Sequence, residues 1–231
     1  MAYLSENEMN SMGFASLGQN VRISSRAALY EPEKIRLGDN ARIDDFCVVS
    51  GRVELGRNAH VSVLCNLAAG EPGIFIADFA TLAYGCHIFA QSDDYSGRTM
   101  TNPTVPDQYK TEIHAPVHVG RHAIIGTQGI VFPGADVAEG CAIGAGSVVT
   151  QPTEPWGIYV GNPARRMKDR VAVHLRRNLI PQSFRNLIKG KLQMRARPEP
   201  TAAIRARLAE ETASGKAEWL VAAHGPGSAS A

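Results

Sequence analysis

Between Leu17 and Thr150 the chain repeats on a six-residue period: a large aliphatic, a small or polar residue, and another small residue four places on. LGDNAR, IDDFCV, LGRNAH, VSVLCN, VAEGCA and IGAGSV show the pattern directly. Three hexapeptides make one triangular turn of a parallel β-helix, and such a turn buries its apolar face only by stacking on the next. Leu37, Ile43 and Val49 precede Leu55, Val61 and Leu67 by 18 residues, and Val119, Ile125 and Val131 precede Val137, Ile143 and Val149 by the same 18. An α-helix, at about 3.6 residues per turn, scatters those aliphatics around its circumference.

The repeat predicts a mainly β chain of about six coils, anchored at Leu17/Ile23/Leu29, Leu37/Ile43/Val49, Leu55/Val61/Leu67, Ile76/Leu82/Ile88, Val119/Ile125/Val131 and Val137/Ile143/Val149. EPEK at 31–34 and AGEPGIF at 69–75 add small bulges. The large interruption is Gln91–Pro116, which adds about 25 residues and carries Tyr95, Tyr109, prolines and paired acids. A loop of this length inside a compact fold is functional or disordered, and this composition favours an ordered binding arm. Residues 1–16 form a lead-in, in which Ser5 and Glu8 have the spacing of a capping box and so predict a short helix. The prism spans 17–168, closed by PTEPWGIYVGNPARRMKDR, and 169–231 reads as a helical extension ending in a Gly/Ser-rich tail.

The net charge of +2 gives no bias towards an acidic partner. The region 165–207 is basic but nearly free of aromatics for base stacking, so it reads as a solvated or subunit-contacting face and no nucleic acid is expected. No run of 18 apolar residues is present, and the first residues lack a basic region followed by an apolar stretch. The expectation is a cytoplasmic protein with no membrane partner. Cys47, Cys65, Cys86 and Cys141 each follow an inward aliphatic by four residues, the slot for a small buried side chain. His60, His87 and His118 precede inward aliphatics of three different faces, so they do not converge within one subunit and no metal is expected.

The repeats, IGAGSVVT at 143–150 and GIYVGNPAR at 157–165 resemble the hexapeptide-repeat acyltransferases, which fold as a left-handed parallel β-helix. Galactoside and maltose acetyltransferases are more distant members of that group. IRLGDNARIDDFCVVSG at 35–51, SDDYSG at 92–97 and MTNPTVP at 100–106 are similar to the enzymes that acetylate dTDP-4-amino-4,6-dideoxyglucose for surface polysaccharide such as O-antigen. The resemblance implies a homotrimer with active sites between prisms, acetyl-CoA along the later coils, and a nucleotide amino sugar as acceptor. Gly126–Thr127 and Gly144–Ala145 stand one coil apart. On the residues alone they fit turn geometry and ligand contact equally; the resemblance implies cofactor contact. It also assigns Thr150, Arg165, Arg166 and Lys168 to the CoA phosphate region, although Gln151 stands where the family often has a lysine.

Acetyl transfer to an amine requires loss of an amine proton, donors for the tetrahedral oxyanion, and a proton or dipole for the departing thiolate. Galactoside-type enzymes carry a histidine at the start of the long loop, where this chain reads IFAQSDDYSG. The candidate bases or amine anchors are therefore Asp93 and Asp94, with an Asp-rich turn as the structural alternative. His60 is a further catalytic candidate, because the closer family also has a histidine before a β-branched residue here. Tyr95, Asn102 and His114 are the candidate acceptor contacts. Transfer to a sugar hydroxyl and a non-catalytic binding prism are the competing readings.

Overall fold

The computed structural model describes residues 2–171. The helical extension expected over 169–231 therefore lies outside the described residues from 172 onward, and Arg165–Asp169 is a strand. Among the described residues the chain is a parallel β-solenoid of about seven turns.

The sequence arithmetic is the observed register. Leu37 pairs with Leu55, Ile43 with Val61, Val49 with Leu67, Ile125 with Ile143, Val131 with Val149, and Val119 with Val137. The irregular spacings also resolve as expected, with Leu17 on Leu37, Leu55 on Ile76 and Ile88 on Val131. The inward aliphatics of the central coils, Ile43, Val61, Leu82 and Ile125, are wholly buried. Each contributes about 1.5–3 kcal/mol of transfer free energy. All four cysteines are buried and free, and Cys65 donates its thiol to Ala83 O one coil on, at 3.0 Å.

One face stacks seven parallel strands: Arg22–Ile23, Arg42–Ile43, His60–Val61, Thr81–Leu82, Ile124–Ile125, Ala142–Ile143 and Gly157–Val160. The last of these is the turn beyond the six that the repeat counts. Its core residue is Tyr159, which pairs with Ile143 and departs from the hexapeptide pattern, so the sequence hid it. Arg165–Asp169 then runs back antiparallel against Gly157–Val160 and ends the ladder. Arg170 seals this end, its Nη1 donating to the carbonyls of His122, Gly140 and Cys141 at 2.8–3.1 Å.

At the other end the helix Glu6–Ser11 forms with its capping box complete, Ser5 and Glu8 each bonding the other's backbone N–H. Its buried residue Met9 joins the core. The bulges take up the extra residues without breaking the stack. Pro32–Lys34 forms a short 3₁₀ turn, while Asn66–Ile76 continues as one strand along Val48–Leu55 with two register shifts.

Candidate active site

The long interruption leaves the wall at Gln91, after Phe89 has paired with Ala68 of the coil before it. Gln91–Ser92 pairs antiparallel with Ile113–His114, Gln91 opposite His114 and Ser92 opposite Ile113, so the two ends of the loop are clamped together. Inside the clamp, Met100 bridges Lys110 and Asp107–Tyr109 forms a 3₁₀ turn. Lys110, 7% exposed in its side chain, binds Asp107 and Glu112, each at 3.2 Å. The loop is an ordered arm.

Beneath the arm lies a cleft of about 380 Å³. Its wall is Ala68, Phe89 and Phe132, and its rim includes Gln91, Asp93, Tyr95 and Glu112. Phe89 and Phe132 follow the inward residues Ile88 and Val131, which pair across adjacent coils, so their rings come to lie one above the other with centroids 6.3 Å apart. An aromatic wall beside a carboxylate rim suits a ligand with one apolar and one cationic side.

The adjacent aspartates have different roles in the fold. Asp94 Oδ1 accepts from Ser96 N at 2.8 Å, and its Oδ2 accepts from Thr99 N at 3.2 Å and Thr99 Oγ1 at 3.0 Å. The bonds from Ser96, then those from Thr99, hold its carboxyl below the ordinary carboxylate range. Asp94 thus closes a turn, the structural alternative for this pair. Asp93 lines the cleft, and among the described residues no side-chain hydrogen bond or ion pair engages its carboxylate.

Asn102 is likewise occupied within its own turn. It sits at φ 95° and accepts from Thr104 N and Thr104 Oγ1, both at 2.9 Å. Tyr95 is 89% exposed on the rim of the cleft. His114 stands behind Glu112, Nε2 to Oε2 at 3.3 Å. His60 is on another face, where its Nε2 meets the buried carboxylate of Asp44 at 2.9 Å, and Arg42 Nε donates to the same carboxylate at 2.6 Å. Within one chain the structure therefore brings Asp93, Tyr95 and His114 around the loop and leaves His60 apart from them.

The expected cofactor residues form a contiguous strip. Gly126 is crowded by the next coil, since a Cβ there meets Ala145 N at 2.6 Å. Gly144 in turn lies under Val160, a Cβ there meeting Cγ1 at 2.8 Å, and Val160 pairs with Arg165. Thr127 and Ala145 are exposed beside these glycines, and Arg165, Arg166 and Lys168 follow on the exposed terminal strand. Arg166 is drawn to Asp169 at 2.7 Å and Glu154 at 3.5 Å, whereas Arg165 donates to the Ala164 carbonyl. Thr150 stands elsewhere, one residue after Val149 and so one coil beyond Phe132 of the cleft wall. Among the described residues no group of three His, Cys, Asp or Glu side chains is placed to hold a metal ion.

No family model matches the chain. Individual relatives do. The chain is 41% identical over 174 residues to dTDP-4-amino-4,6-dideoxy-D-glucose acyltransferase of Escherichia coli, an alignment covering 74% of this chain and 90% of that protein. This chain belongs to that acyltransferase family. Among solved structures it is similar to AntD, an N-acyltransferase from Bacillus cereus, with a TM-score of 0.77 and 38% identity over 82% of this chain and 98% of that one. AntD has been solved with dTDP and 3-hydroxybutyryl-CoA, and a serine variant of it with dTDP-4-amino-4,6-dideoxyglucose and coenzyme A.

In this acyltransferase Gln91, Glu112 and the two phenylalanines line the cleft without having been named as site residues from sequence. Phe89 and Phe132 were legible in principle, because both directly follow inward aliphatics that stack on each other. Glu112 becomes visible only once the ends of the loop are known to pair.

Proposed function

We propose that the chain transfers an acetyl group from acetyl-CoA to the amino group of a nucleotide-linked 4-amino-4,6-dideoxysugar such as dTDP-4-amino-4,6-dideoxyglucose. The observation that carries this reading is the carboxylate of Asp93, without a partner among the described residues, on the rim of an aromatic-walled cleft. In a family whose members act on such an amino sugar, that carboxylate is the natural counter-charge for the acceptor ammonium.

Asp93 draws the ammonium to the cleft by charge and then accepts one of its protons, giving the free amine that attacks the thioester carbonyl. The backbone N–H groups of Thr127 and Ala145 supply donors for the oxyanion, those of Gly126 and Gly144 being used between coils. Collapse expels the CoA thiolate, which takes the second amine proton as the amide forms. Direct attack of this kind fits cysteines that are all buried in the wall. Arg165, Arg166 and Lys168 hold the CoA phosphates on the terminal strand.

The reading includes a homotrimer in the cytoplasm. Its support is a column of apolar side chains at one corner: Phe46, Leu64 and Tyr84 are 52%, 59% and 61% exposed. Phe46 and Leu64 occupy left-handed backbone at φ 59° and 64°, which costs a bulky residue about 1–2 kcal/mol. A subunit interface that covers this exposed apolar corner accounts for it.

The test is thiol release by purified protein with acetyl-CoA, offered the amino sugar nucleotide or its 4-hydroxyl analogue. Turnover of the amine alone is expected; exclusive turnover of the hydroxyl analogue overturns the reading in favour of O-acetylation. No turnover of either, with no thermal stabilisation by CoA, returns the protein to a binding prism. Sedimentation equilibrium checks the trimer.

A further inference from the structure

We propose that Glu112 is a second carboxylate of the acceptor site, receiving the sugar ammonium together with Asp93 and so selecting an amine over a hydroxyl. The proposal rests on the acceptor reading given above. It begins from register. Gln91 lies opposite His114 and Ser92 opposite Ile113, and Asp93 and Glu112 are the residues by which the two strands of that clamp open into the loop. Both residues line the same cleft of about 380 Å³.

Two carboxylates so placed repel each other unless a cation lies between them. Of the two, only Glu112 has partners among the described residues, the ammonium of Lys110 and the imidazole of His114. Lys110 Nζ stands 3.2 Å from Oε1, and His114 Nε2 stands 3.3 Å from Oε2. Lys110 is buried to 7% exposure, so its ammonium is a fixed tether rather than a mobile surface charge. Each oxygen of an ionised carboxylate has two acceptor directions, so Glu112 tied in this way still offers acceptor sites to a ligand. Asp93 has no cation among the described residues. The charge deficit of the pair therefore faces the cleft.

The opposite wall decides what kind of cation fits. Phe89, Phe132 and Ala68 present apolar surface, which suits an organic ammonium with a deoxygenated flank better than a hydrated metal ion. A hydroxyl in the same position receives hydrogen bonds but relieves no charge repulsion. The paired carboxylates thus discriminate between acceptors at the binding step.

The test compares wild type, Glu112→Gln and Glu112→Asp in the full chain. Steady-state kinetics at saturating acetyl-CoA give KM for the amino sugar nucleotide, and calorimetry gives the affinity for dTDP, which has no amine. Glu112→Gln is expected to raise the amino sugar KM by about tenfold or more, the scale of a lost charge-assisted bond of about 1.4 kcal/mol. dTDP affinity and the KM for acetyl-CoA are expected to stay at wild-type values. Glu112→Asp, which keeps the charge, is expected to stay within a few fold. An unchanged KM in Glu112→Gln, equal losses for dTDP and amino sugar, or equal damage by both substitutions overturns the proposal. Failure of the wild-type protein to use the amino sugar at all is a different result and refutes the acceptor reading itself.

Discussion

The carboxylate of Asp94 accepts three hydrogen bonds from its own loop, while that of Asp93, one residue earlier, engages no side-chain or backbone donor among the described residues. Two adjacent acids of identical chemistry thereby differ, one bound within the arm's own turn and one left on the cleft. Asp93→Asn is expected to lower kcat/KM by about 100-fold, the scale of a positioned proton acceptor. Asp94→Asn keeps an acceptor for Ser96 and is expected to lose less than about tenfold on the same scale. Steady-state kinetics of the two variants side by side check the division, and equal losses would contradict it.

The same bonds set a pH dependence. The folded pKa of Asp94 is depressed, so its contribution to the loop is fully present above the unfolded value of about 3.9 and is lost as pH falls through the folded value. Amide exchange of Ser96 and Thr99 is therefore expected to keep its protection down to about pH 4 and lose it below. An acid limb of the rate profile above pH 5 must then come from another group.

Gly126→Ala tests the stacked corner. Its Cβ would stand 2.6 Å from Ala145 N and 2.8 Å from Ile143 O, both backbone atoms that a rotamer change cannot move. A loss of about 1–3 kcal/mol is expected in urea unfolding. Thr127→Ala, at the exposed neighbouring position, should leave stability unchanged and weaken CoA binding, which calorimetry reads separately.

Arg170 offers a test of the closed end. Its guanidinium serves three carbonyls at once, and burial lowers its pKa from the ordinary arginine range. Arg170→Met fills similar space and donates nothing, so a loss of about 1.5–3 kcal/mol is expected in the same unfolding assay. A variant as stable as wild type would show that the carbonyls find other donors.

Most of the wall was legible because a six-residue period is a rigid constraint: a shift of one residue moves every aliphatic from the inside to the outside. That is why Leu37 to Leu55 and Val131 to Val149 were paired by subtraction alone. The last turn escaped because Tyr159 stands in an aliphatic slot and Pro163 and Ala164 follow it in place of another repeat. The cleft was legible in part. Asp93 and Tyr95, which line it, stand out because they fall in the one long interruption, but so do Asp94 and Asn102, whose side chains fold back on their own turns. Sequence names the polar residues of a loop without saying which of them the loop consumes. Glu112 was overlooked because its proximity to Asp93 comes from a pairing between residues some twenty positions apart, and no period announces it.

The reversal at Arg165–Asp169 has a consequence for the molecule as a material. A parallel coil exposes, at its final rung, the same row of amides and carbonyls onto which the next rung would fit, so a bare solenoid tip is a seed for head-to-tail growth. A strand running the other way does not reproduce that row in register, and five consecutive exposed residues of sequence RRMKD put fixed charges along it. Among the described residues the column thus closes on a rung unlike those it stacks, as a polymer closes on an end group.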